Sequence, residues 1–299
     1  AIVPIVGLST PILLAGLGEL VVEKSGVLNL GVEGMMLIGA IAGFAASVIT
    51  GNPWLAVIAA AAAGALAALL FGFFVLALNS NQVATGLALT IFGTGLSSLL
   101  GLGYTGRIVM QFGSVFPPAL SKHPIWQVLF GHSPIGYFAI IMVFVVVWFL
   151  RSTRSGLILR AVGDNDLSAH SLGYPVIGVR YAEVAFGGAM AGIGGAYFSM
   201  VITPMWAEKM TAGRGWIALA LVVFAGWHPG RLLWGAYFFG ILMALELYAK
   251  ASGFSIVPSQ FWAAMPYLMT VVVLAIISSR ETGGGNAPAC LGKPFLPAN

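Results

Sequence analysis

A polar stretch from Gly156 to Arg180 contrasts with the apolar sequence on either side of it. Asp164 or Asn165 can cap a helix here, because a side-chain oxygen accepts a hydrogen bond from an unpaired backbone N–H group. The sequence predicts about two helical turns over 167–172, which Gly173 ends. The stretch is therefore either a short capped helix held by turns on both sides or an ordinary loop at a membrane interface.

A second set of polar residues lies within or at the ends of apolar segments, where a polar side chain is costly in lipid and faces the bundle interior or a cavity. Glu33 either lines a solute pathway or accepts bonds from N–H groups at a helix start. The residues near Gln82 either cap a helix or form a pathway wall, and hydroxyl groups lie deeper in the same segment. The candidate pathway residues are Asn29, Glu33, Gln82, Thr85, Thr90 and Thr94.

Several functions are disfavoured by the residues that the chain carries. The four histidines share no spacing, and no apolar segment pairs a nucleophile with a base at helical spacing, so we expect neither an enzyme nor a metal site. The phosphate-binding pattern G-x-x-x-x-G-K-[ST] is missing, which predicts that this chain does not hydrolyse ATP by itself. The thirteen basic residues form no stripe, so the net charge of +4 does not predict nucleic-acid binding.

Composition indicates the elements that position these residues. Apolar residues make up 59% of the 299 positions and charged residues 7%, whereas soluble domains carry about 25% charged residues. About 20 apolar residues in a helix cross the roughly 30 Å of bilayer hydrocarbon. We therefore predict an all-α polytopic membrane protein with about nine transmembrane helices. The apolar segments are 2–22, 31–50, 54–78, 82–102, 134–150, 181–203, 215–226, 231–248 and 261–279.

Small residues recur at helical spacing in several of these segments. Gly188, Gly192 and Ala196 are four apart, and Gly64 and Ala68 repeat the pattern. Such spacing allows helix backbones to approach closely in a bilayer. We expect these glycines to form helix contacts and not to bind solute.

The basic residues predict the orientation of the chain. If every apolar segment crosses, eight basic residues fall on one face and five on the other, so the first face is cytoplasmic by the positive-inside rule. The N-terminus then lies outside and the C-terminus inside. Segment 215–226 is the weakest crossing, because about 12 helical residues span only ~18 Å. The cytoplasmic set is Lys24, Arg151, Arg154, Arg160, Arg180, Arg231, Arg280 and Lys293.

The polar stretch resembles the cytoplasmic coupling loop of ABC-importer permeases in the ribose and branched-chain amino acid permease superfamily. The resemblance implies that ATPase subunits dock on this loop. Ser168 and His170 depart from the small apolar residues usual in the family. The matching positions, which the resemblance assigns to coupling, are Gly156, Arg160, Ala161, Val162, Gly163, Asp164, Asn165, Ala169 and Gly173.

Other segments are similar to the nucleoside branch of the same superfamily, specifically to the smaller of its two permeases. They are SGVLNLGVEGMMLIGA at 25–40, NQVATGLALT at 81–90, GWIALALVVFAGWHPG at 215–230 and APACLGKPF at 287–295. The resemblance implies a type II-like bundle in the bacterial cytoplasmic (inner) membrane that carries purine or pyrimidine nucleosides. Ribose, another simple sugar or a branched-chain amino acid stays open as the solute.

The resemblance also implies domains and partners. A transmembrane permease domain covers 1–279, with a coupling loop at 151–180 and an outer loop at 103–133, and a cytoplasmic tail covers 280–299. The implied partners are ABC ATPase subunits that bind ATP and Mg²⁺, a second larger permease and an external substrate-binding protein. The alternative is an ion-coupled secondary transporter. Such proteins place carboxylates near the membrane midplane, whereas Glu19 and Glu246 lie near segment ends.

Overall fold

The computed structural model describes residues 2–109, 112, 131–251, 259–279 and 287–296. Most of the predicted outer loop 103–133 and much of the predicted tail 280–299 lie outside these ranges. The described helices are α1 (Ile2–Lys24), α2 (Val32–Thr50), α3 (Pro53–Gly72), α4 (Gln82–Gly101), α5 (Pro134–Ser152), α6 (Arg154–Asp164), α7 (Asp166–Ser171), α8 (Val176–Tyr197), α9 (Arg214–Phe224), α10 (Pro229–Ala251) and α11 (Ser259–Ser279). π-helical turns extend α3 over Phe73–Ala77 and α8 over Phe198–Ile202, and a 3-10 turn, Leu102–Tyr104, follows α4.

The prediction of an all-helical polytopic protein is confirmed. Within the described residues, seven helices are long and apolar enough to cross a membrane, namely α1 to α5, α8 and α10. The only β-pairing in those residues is a single bridge between Ile108 and Met205. The count of nine crossings and the orientation stay predictions.

Polar side chains and prolines set the starts of several helices. The Asn52 carboxamide accepts a hydrogen bond from the Trp54 N–H, and Pro53 occupies the first position of α3. Asn81 caps α4 and Ser133 caps α5 in the same way. These caps satisfy backbone donors that have no partner within the helix. The apolar helices therefore begin within a few residues of the predicted segments.

Helix α8 lies at the centre of the bundle, and its glycines allow close contact on three sides. Gly187 packs on α1 beside Val22, and Gly188 packs on α3 beside Gly64. A Cβ atom added at Gly64 would come within 2.9 Å of the Gly192 Cα, and Gly39 of α2 also packs against Gly192. The predicted use of small residues for helix packing is confirmed at these positions.

Two helices begin inside the bundle and not at its ends. Gly34, in the first turn of α2, packs against Leu89 and Thr90, which lie midway along α4. Gly215, in the first turn of α9, packs against Glu33, so α9 begins at the same level. The irregular turn before α2 comprises residues 25–31, and the irregular segment before α9 comprises 203–213. Both helices are therefore preceded by irregular chain inside the bundle. The contact between their first turns is called here the half-helix junction, because α9 has only 11 residues whereas α2 is long enough to cross a membrane.

The predicted crossing at 215–226 stays a prediction, and the structure shows which residues extend it. Helix α9 has 11 residues and is about 16 Å long at 1.5 Å per residue, which is half of a bilayer core. The traverse is completed by segment 203–213, in which Trp206 packs on Gly101 at the far end of α4. Trp227, just after α9, reaches Glu23 near the other end of the bundle. The chain crosses the bundle as irregular backbone followed by a half-helix.

The outer face of the bundle is apolar along α3, α4, α5 and α10. Ile91, Phe144 and Trp234 are exposed by 75%, 67% and 76%. A soluble protein does not leave so many large apolar side chains in water. These faces fit lipid or another membrane subunit.

Candidate functional site

The predicted coupling loop contains two helices, where the sequence predicted one. Helix α6 (Arg154–Asp164) begins at Thr153, whose hydroxyl accepts a bond from the Gly156 N–H at 3.0 Å. Gly156 packs against the Phe149 carbonyl, and Gly163 packs against the Lys24 carbonyl. The helix continues because nothing in 154–164 breaks it before Asn165, whose backbone is extended. The two glycines hold α6 tightly against α5 and the end of α1.

The second helix, α7 (Asp166–Ser171), agrees with the predicted short capped helix. The Asn165 side chain accepts a hydrogen bond from the Ser168 N–H at 2.9 Å. Gly173 has a φ of +85°, a conformation that glycine adopts without strain, and the helix ends just before it. Ala169 is buried, whereas Leu167 and Leu172 are exposed by 49% and 77%. One face of α7 is anchored in the protein, and the other is free for a partner.

The nine residues assigned to coupling lie in α6, in α7 and beside them, and they differ in exposure. The glycines Gly156 and Gly163, with Val162 and Ala169, are buried, and Arg160 is half-buried. The exposed ones are Ala161, Asp164, Asn165 and Gly173. The structure brings all nine to one end of the bundle, called here the α7 end. Their role in coupling stays a prediction.

Arg180 was predicted only as a charge in the cytoplasmic loop, but its side chain is completely buried in the first turns of α8. Its guanidinium donates to the Asp166 carboxylate at 3.1 Å and to the Ser25 carbonyl at 3.0 Å. A buried charge must be paired, so this contact fixes α7 relative to α8 and α1. The sequence contained one indication of this ion pair: an arginine follows a short helix with an acidic first turn, in a chain that has few charged residues.

Four candidate pathway residues meet around the turn that precedes α2. Gln82 accepts a hydrogen bond from the Leu28 N–H at 2.7 Å, and Thr90 donates to the Leu30 carbonyl at 3.0 Å. Asn29 is fully buried and accepts a bond from the Gly31 N–H at 2.9 Å. Glu33 lies at the end of the same turn. The structure places these side chains together. Three of them are hydrogen-bonded to the backbone of the turn, and Glu33 is bonded elsewhere.

Glu33 binds the start of α9. Its carboxylate accepts hydrogen bonds from the Gly213 N–H at 2.8 Å, from the Gly215 N–H at 2.6 Å and from the Thr211 hydroxyl at 2.5 Å. These N–H groups have no partner within α9, and the helix start carries partial positive charge. The predicted alternative of a carboxylate that satisfies a helix start describes this contact, although the helix is α9 and not α2. Glu33 thus connects the first turn of α2 to the start of α9.

The other two candidate pathway residues lie apart from the turn. Thr94 donates to the Thr90 carbonyl at 2.8 Å within α4. Thr85 is half-buried and borders an apolar cavity of about 210 Å³ between α3 and α4, with Phe71 and Phe92. All six candidates lie in α4, in the first turn of α2 or in the turn that precedes α2. Their contact with solute stays a prediction.

Two buried carboxylates at the end of α1 were not recognised as part of a site. Glu19 accepts a bond from the Asn29 N–H at 3.1 Å, and Glu23 accepts one from the Trp227 indole at 2.5 Å. Both side chains are 1% exposed or less. Glu19 lies near a segment end, as predicted, but it is inside the bundle. Glu19 thus bonds α1 to the turn before α2, and Glu23 bonds α1 to the residue Trp227 after α9.

The geometry suits transport better than catalysis. The half-helix α9 begins inside the bundle beside the start of α2, and transporters use broken helices of this kind beside a solute pathway. A separate helix, α7, presents an exposed face at one end and is fixed to α8 by Arg180. Within the described ranges, no group of three or more His, Cys, Asp or Glu residues is arranged to hold a metal ion.

Comparison with known proteins agrees with this description. Residues 1–274 match the family model described as branched-chain amino acid transport system / permease component. A candidate glucose ABC transporter permease of Haloferax volcanii is 40% identical over 289 residues, covering 89% of this chain and 88% of that protein. A guanosine ABC transporter permease of Bacillus subtilis is 30% identical, covering 96% and 93%. A nucleoside ABC transporter permease of Lactococcus lactis is 32% identical, covering 91% and 90%.

The family match covers more than nine-tenths of the chain, and two of these relatives belong to the predicted nucleoside branch. The half-helix junction, the capped α7 and every described helix before α11 lie within the matched residues. This chain therefore belongs to the branched-chain amino acid transport system permease family, and it is a multi-pass membrane permease of the ABC transporter type, not an enzyme.

Proposed function

We propose that the chain is a subunit of an ATP-driven importer in the cytoplasmic membrane and forms part of the pathway for a nucleoside. The observation that carries the proposal is α7, a capped helix with two exposed leucines and a buried ion pair at its base. A surface that is exposed outward and fixed inward suits a docking helix that transmits force. Separate ATPase subunits bind there and supply ATP and Mg²⁺.

The proposed mechanism is rigid-body alternating access. Closure of the ATPases displaces α7, and the Arg180–Asp166 pair passes the displacement to α8 and the end of α1. Because α8 packs closely on α1, α2 and α3, these helices move as one block against the rest of the bundle. Packed interfaces of this kind switch between discrete arrangements.

In this proposal the six candidate residues shape the pathway wall beside α4. Glu33, Asn29, Gln82 and Thr90 hold the half-helix junction through the hydrogen bonds described above, so they keep the wall in one conformation. Thr85 and Thr94 lie on α4 itself, and Thr85 is half-buried. Hydroxyl groups at these positions suit a solute that carries sugar hydroxyls.

The two nucleoside-type relatives favour a nucleoside as the solute. A simple sugar is the second candidate, because the relative from Haloferax volcanii, named for glucose, shares 40% of its residues with this chain. Nucleosides and sugars both present ring hydroxyls, so the same pathway chemistry suits either. The choice between them is expected to lie mainly in an external substrate-binding protein.

We further propose that the chain pairs with a second, larger permease. A further guanosine permease of Bacillus subtilis is 27% identical to this chain, and a further glucose permease of Haloferax volcanii is 25% identical. Two related permeases for one solute in one organism fit a heterodimer. The exposed apolar faces of α3, α4, α5 and α10 offer the contact surface.

The test is uptake by the purified complex in proteoliposomes. The complex, with its co-purified ATPases and binding protein, is given radiolabelled guanosine or glucose, with or without ATP. We expect ATP-dependent uptake of guanosine and competition by other nucleosides. ATP-dependent uptake of glucose alone would establish the second candidate, and gradient-driven uptake by this chain without any ATPase would contradict the proposal.

A further inference from the structure

Residues 287–295, called here the tail segment, pack against several elements of the α7 end. The Cys290 N–H donates to the Gly163 carbonyl at 2.9 Å, at the end of α6. The Gly292 N–H donates to the Gly26 carbonyl at 3.0 Å, in the turn between α1 and α2. Gly26 has a φ of +92°, and a Cβ atom added there would lie 2.9 Å from the Arg180 guanidinium. The tail segment is therefore bonded to α6 and to the turn at once.

The C-terminal end of the tail segment packs on α7. Phe295 is 8% exposed and forms a small apolar cluster with Val162, Ala169 and Val176. The His170 ring stands edge-on to the Phe295 ring at a centroid distance of 5.4 Å. Burial of a phenylalanine side chain in an apolar cluster stabilises such a contact. Phe295 therefore anchors the tail segment to the inner face of α7.

Gln82 connects the tail segment to α4. Its amide nitrogen lies 3.5 Å from the Lys293 carbonyl, and its amide oxygen accepts the bond from the Leu28 N–H at 2.7 Å. Gln82 is 5% exposed, in the first position of α4. One side chain thus touches the tail segment, the turn before α2 and the helix that carries three other candidate pathway residues.

We propose that the tail segment is a mechanical link that passes the displacement of α7 to α4 and to the half-helix junction. Phe295, which packs on α7, and Gln82, which reaches the Lys293 carbonyl from α4, are its positioning residues. Arg180 already joins α7 to the turn through Ser25, and the tail segment adds the connection to α4. The inference rests on the proposed docking of ATPases at α7 and extends it to a second route within this chain.

The test compares Phe295→Ala with Leu296→Ala in the complete complex in proteoliposomes. Leu296 is the next residue and is 64% exposed, so its truncation removes similar apolar area without touching the cluster. The measured quantity is solute taken up per ATP hydrolysed, using whichever of guanosine and glucose the wild-type complex transports. Since couplings between sites are typically 5–150-fold, we expect Phe295→Ala to lower this ratio about fivefold or more. Leu296→Ala leaves it unchanged, and Phe295→Leu restores most of it.

The outcomes separate this inference from the proposed function. A wild-type complex without ATP-driven uptake contradicts the proposed function, whatever the tail segment does. An active wild type with an unchanged ratio in Phe295→Ala overturns the link, as does a parallel fall of uptake and ATP hydrolysis. If Phe295→Ala does not assemble, the smaller truncation Phe295→Val tests the same contact in its place. A lower ratio then supports the link, and an unchanged ratio overturns it.

Discussion

The Arg180 guanidinium is completely buried and donates to the Asp166 carboxylate over 3.1 Å, which joins the start of α8 to the first turn of α7. Removing one partner of a buried ion pair leaves an uncompensated charge and typically costs about 3–5 kcal/mol. We therefore expect Asp166→Ala to lower the unfolding temperature of the purified chain clearly and to abolish ATP-driven uptake.

The matched control for this pair is Glu246→Ala, which removes the exposed partner of Lys250 in α10. Exposed ion pairs contribute about 0–1 kcal/mol, so the unfolding temperature changes little. Equal shifts for the two variants would show that the Arg180 contact does not hold α7.

Glu33 supports the start of α9, and its replacement tests the half-helix junction. Glu33→Ala leaves the buried Gly215 N–H and its neighbour at Gly213 without acceptors, and each unsatisfied group costs about 1–3 kcal/mol. Glu33→Gln keeps one acceptor oxygen and is expected to be milder. Thermal unfolding ranks the variants as wild type above Gln above Ala. A Gln variant as unstable as the Ala variant would indicate that the charge, and not the hydrogen bonds, is what α9 requires.

Asn165 sets the first turn of the coupling helix. Asn165→Ala removes the cap from the Ser168 N–H, and cap removal costs about 0.5–2 kcal/mol. Because α7 has six residues, we expect it to lose its helical form locally while the bundle stays folded. ATP hydrolysis stimulated by the binding protein then falls, whereas Asn165→Ser, which retains a capping oxygen, stays close to wild type. Normal stimulation in Asn165→Ala would contradict a role for the helical form of α7.

Gly188 and Gly95 offer a matched pair for testing the helix contacts. A Cβ atom at Gly188 would overlap Ala68 and the Gly64 carbonyl of α3, whereas one at Gly95 of α4 meets nothing within 4 Å. Gly188→Ala should destabilise the chain by about 1–3 kcal/mol through overpacking. Gly95→Ala should be neutral or stabilising by up to about 1 kcal/mol, since alanine favours a helix. Denaturation in detergent measures both, and a neutral Gly188→Ala would contradict the close α3–α8 contact.

The orientation can be tested with single cysteines in a Cys290→Ala background. Ala161 and Arg107 are exposed at opposite ends of the bundle. The positive-inside rule predicts that Ala161 faces the cytoplasm. A membrane-impermeant maleimide should therefore label Arg107→Cys in intact cells and Ala161→Cys only after permeabilisation. Labelling of Ala161→Cys alone in intact cells would reverse the orientation and rule out α7 as an ATPase docking helix.

The regular parts of the fold were predictable because their signals are local. The lengths of the apolar segments predict the long helices. The capping residues Asn52 and Asn165 lie next to the helices that they start. The spacing from Gly188 to Ala196 predicts close packing wherever lipid supplies no drive between helices. Each of these predictions depends on a few neighbouring residues and elementary geometry.

The helix starts inside the bundle and the buried charges were harder to predict, because the residues that contact them are distant in sequence. The partners of Glu33 lie about 180 residues away, at 211–215. Arg180 has the appearance of a loop charge, because its place inside α8 depends on where Pro175 lets that helix begin. The start of α2 inside the bundle follows from its contact with α4, and the start of α9 follows from its contact with Glu33. No local sequence pattern indicates either contact.

The three glycine-lined faces of α8 have a consequence for how the protein changes shape. Backbones that touch without intervening side chains cannot slide past one another, since no flexible group can rearrange to make room. The block formed by α1, α2, α3 and α8 is thus internally rigid, so it moves only as a whole. Conformational freedom has to reside in the elements at its border, above all in the unwound chain ahead of α9, where no helical hydrogen bonds have to be broken.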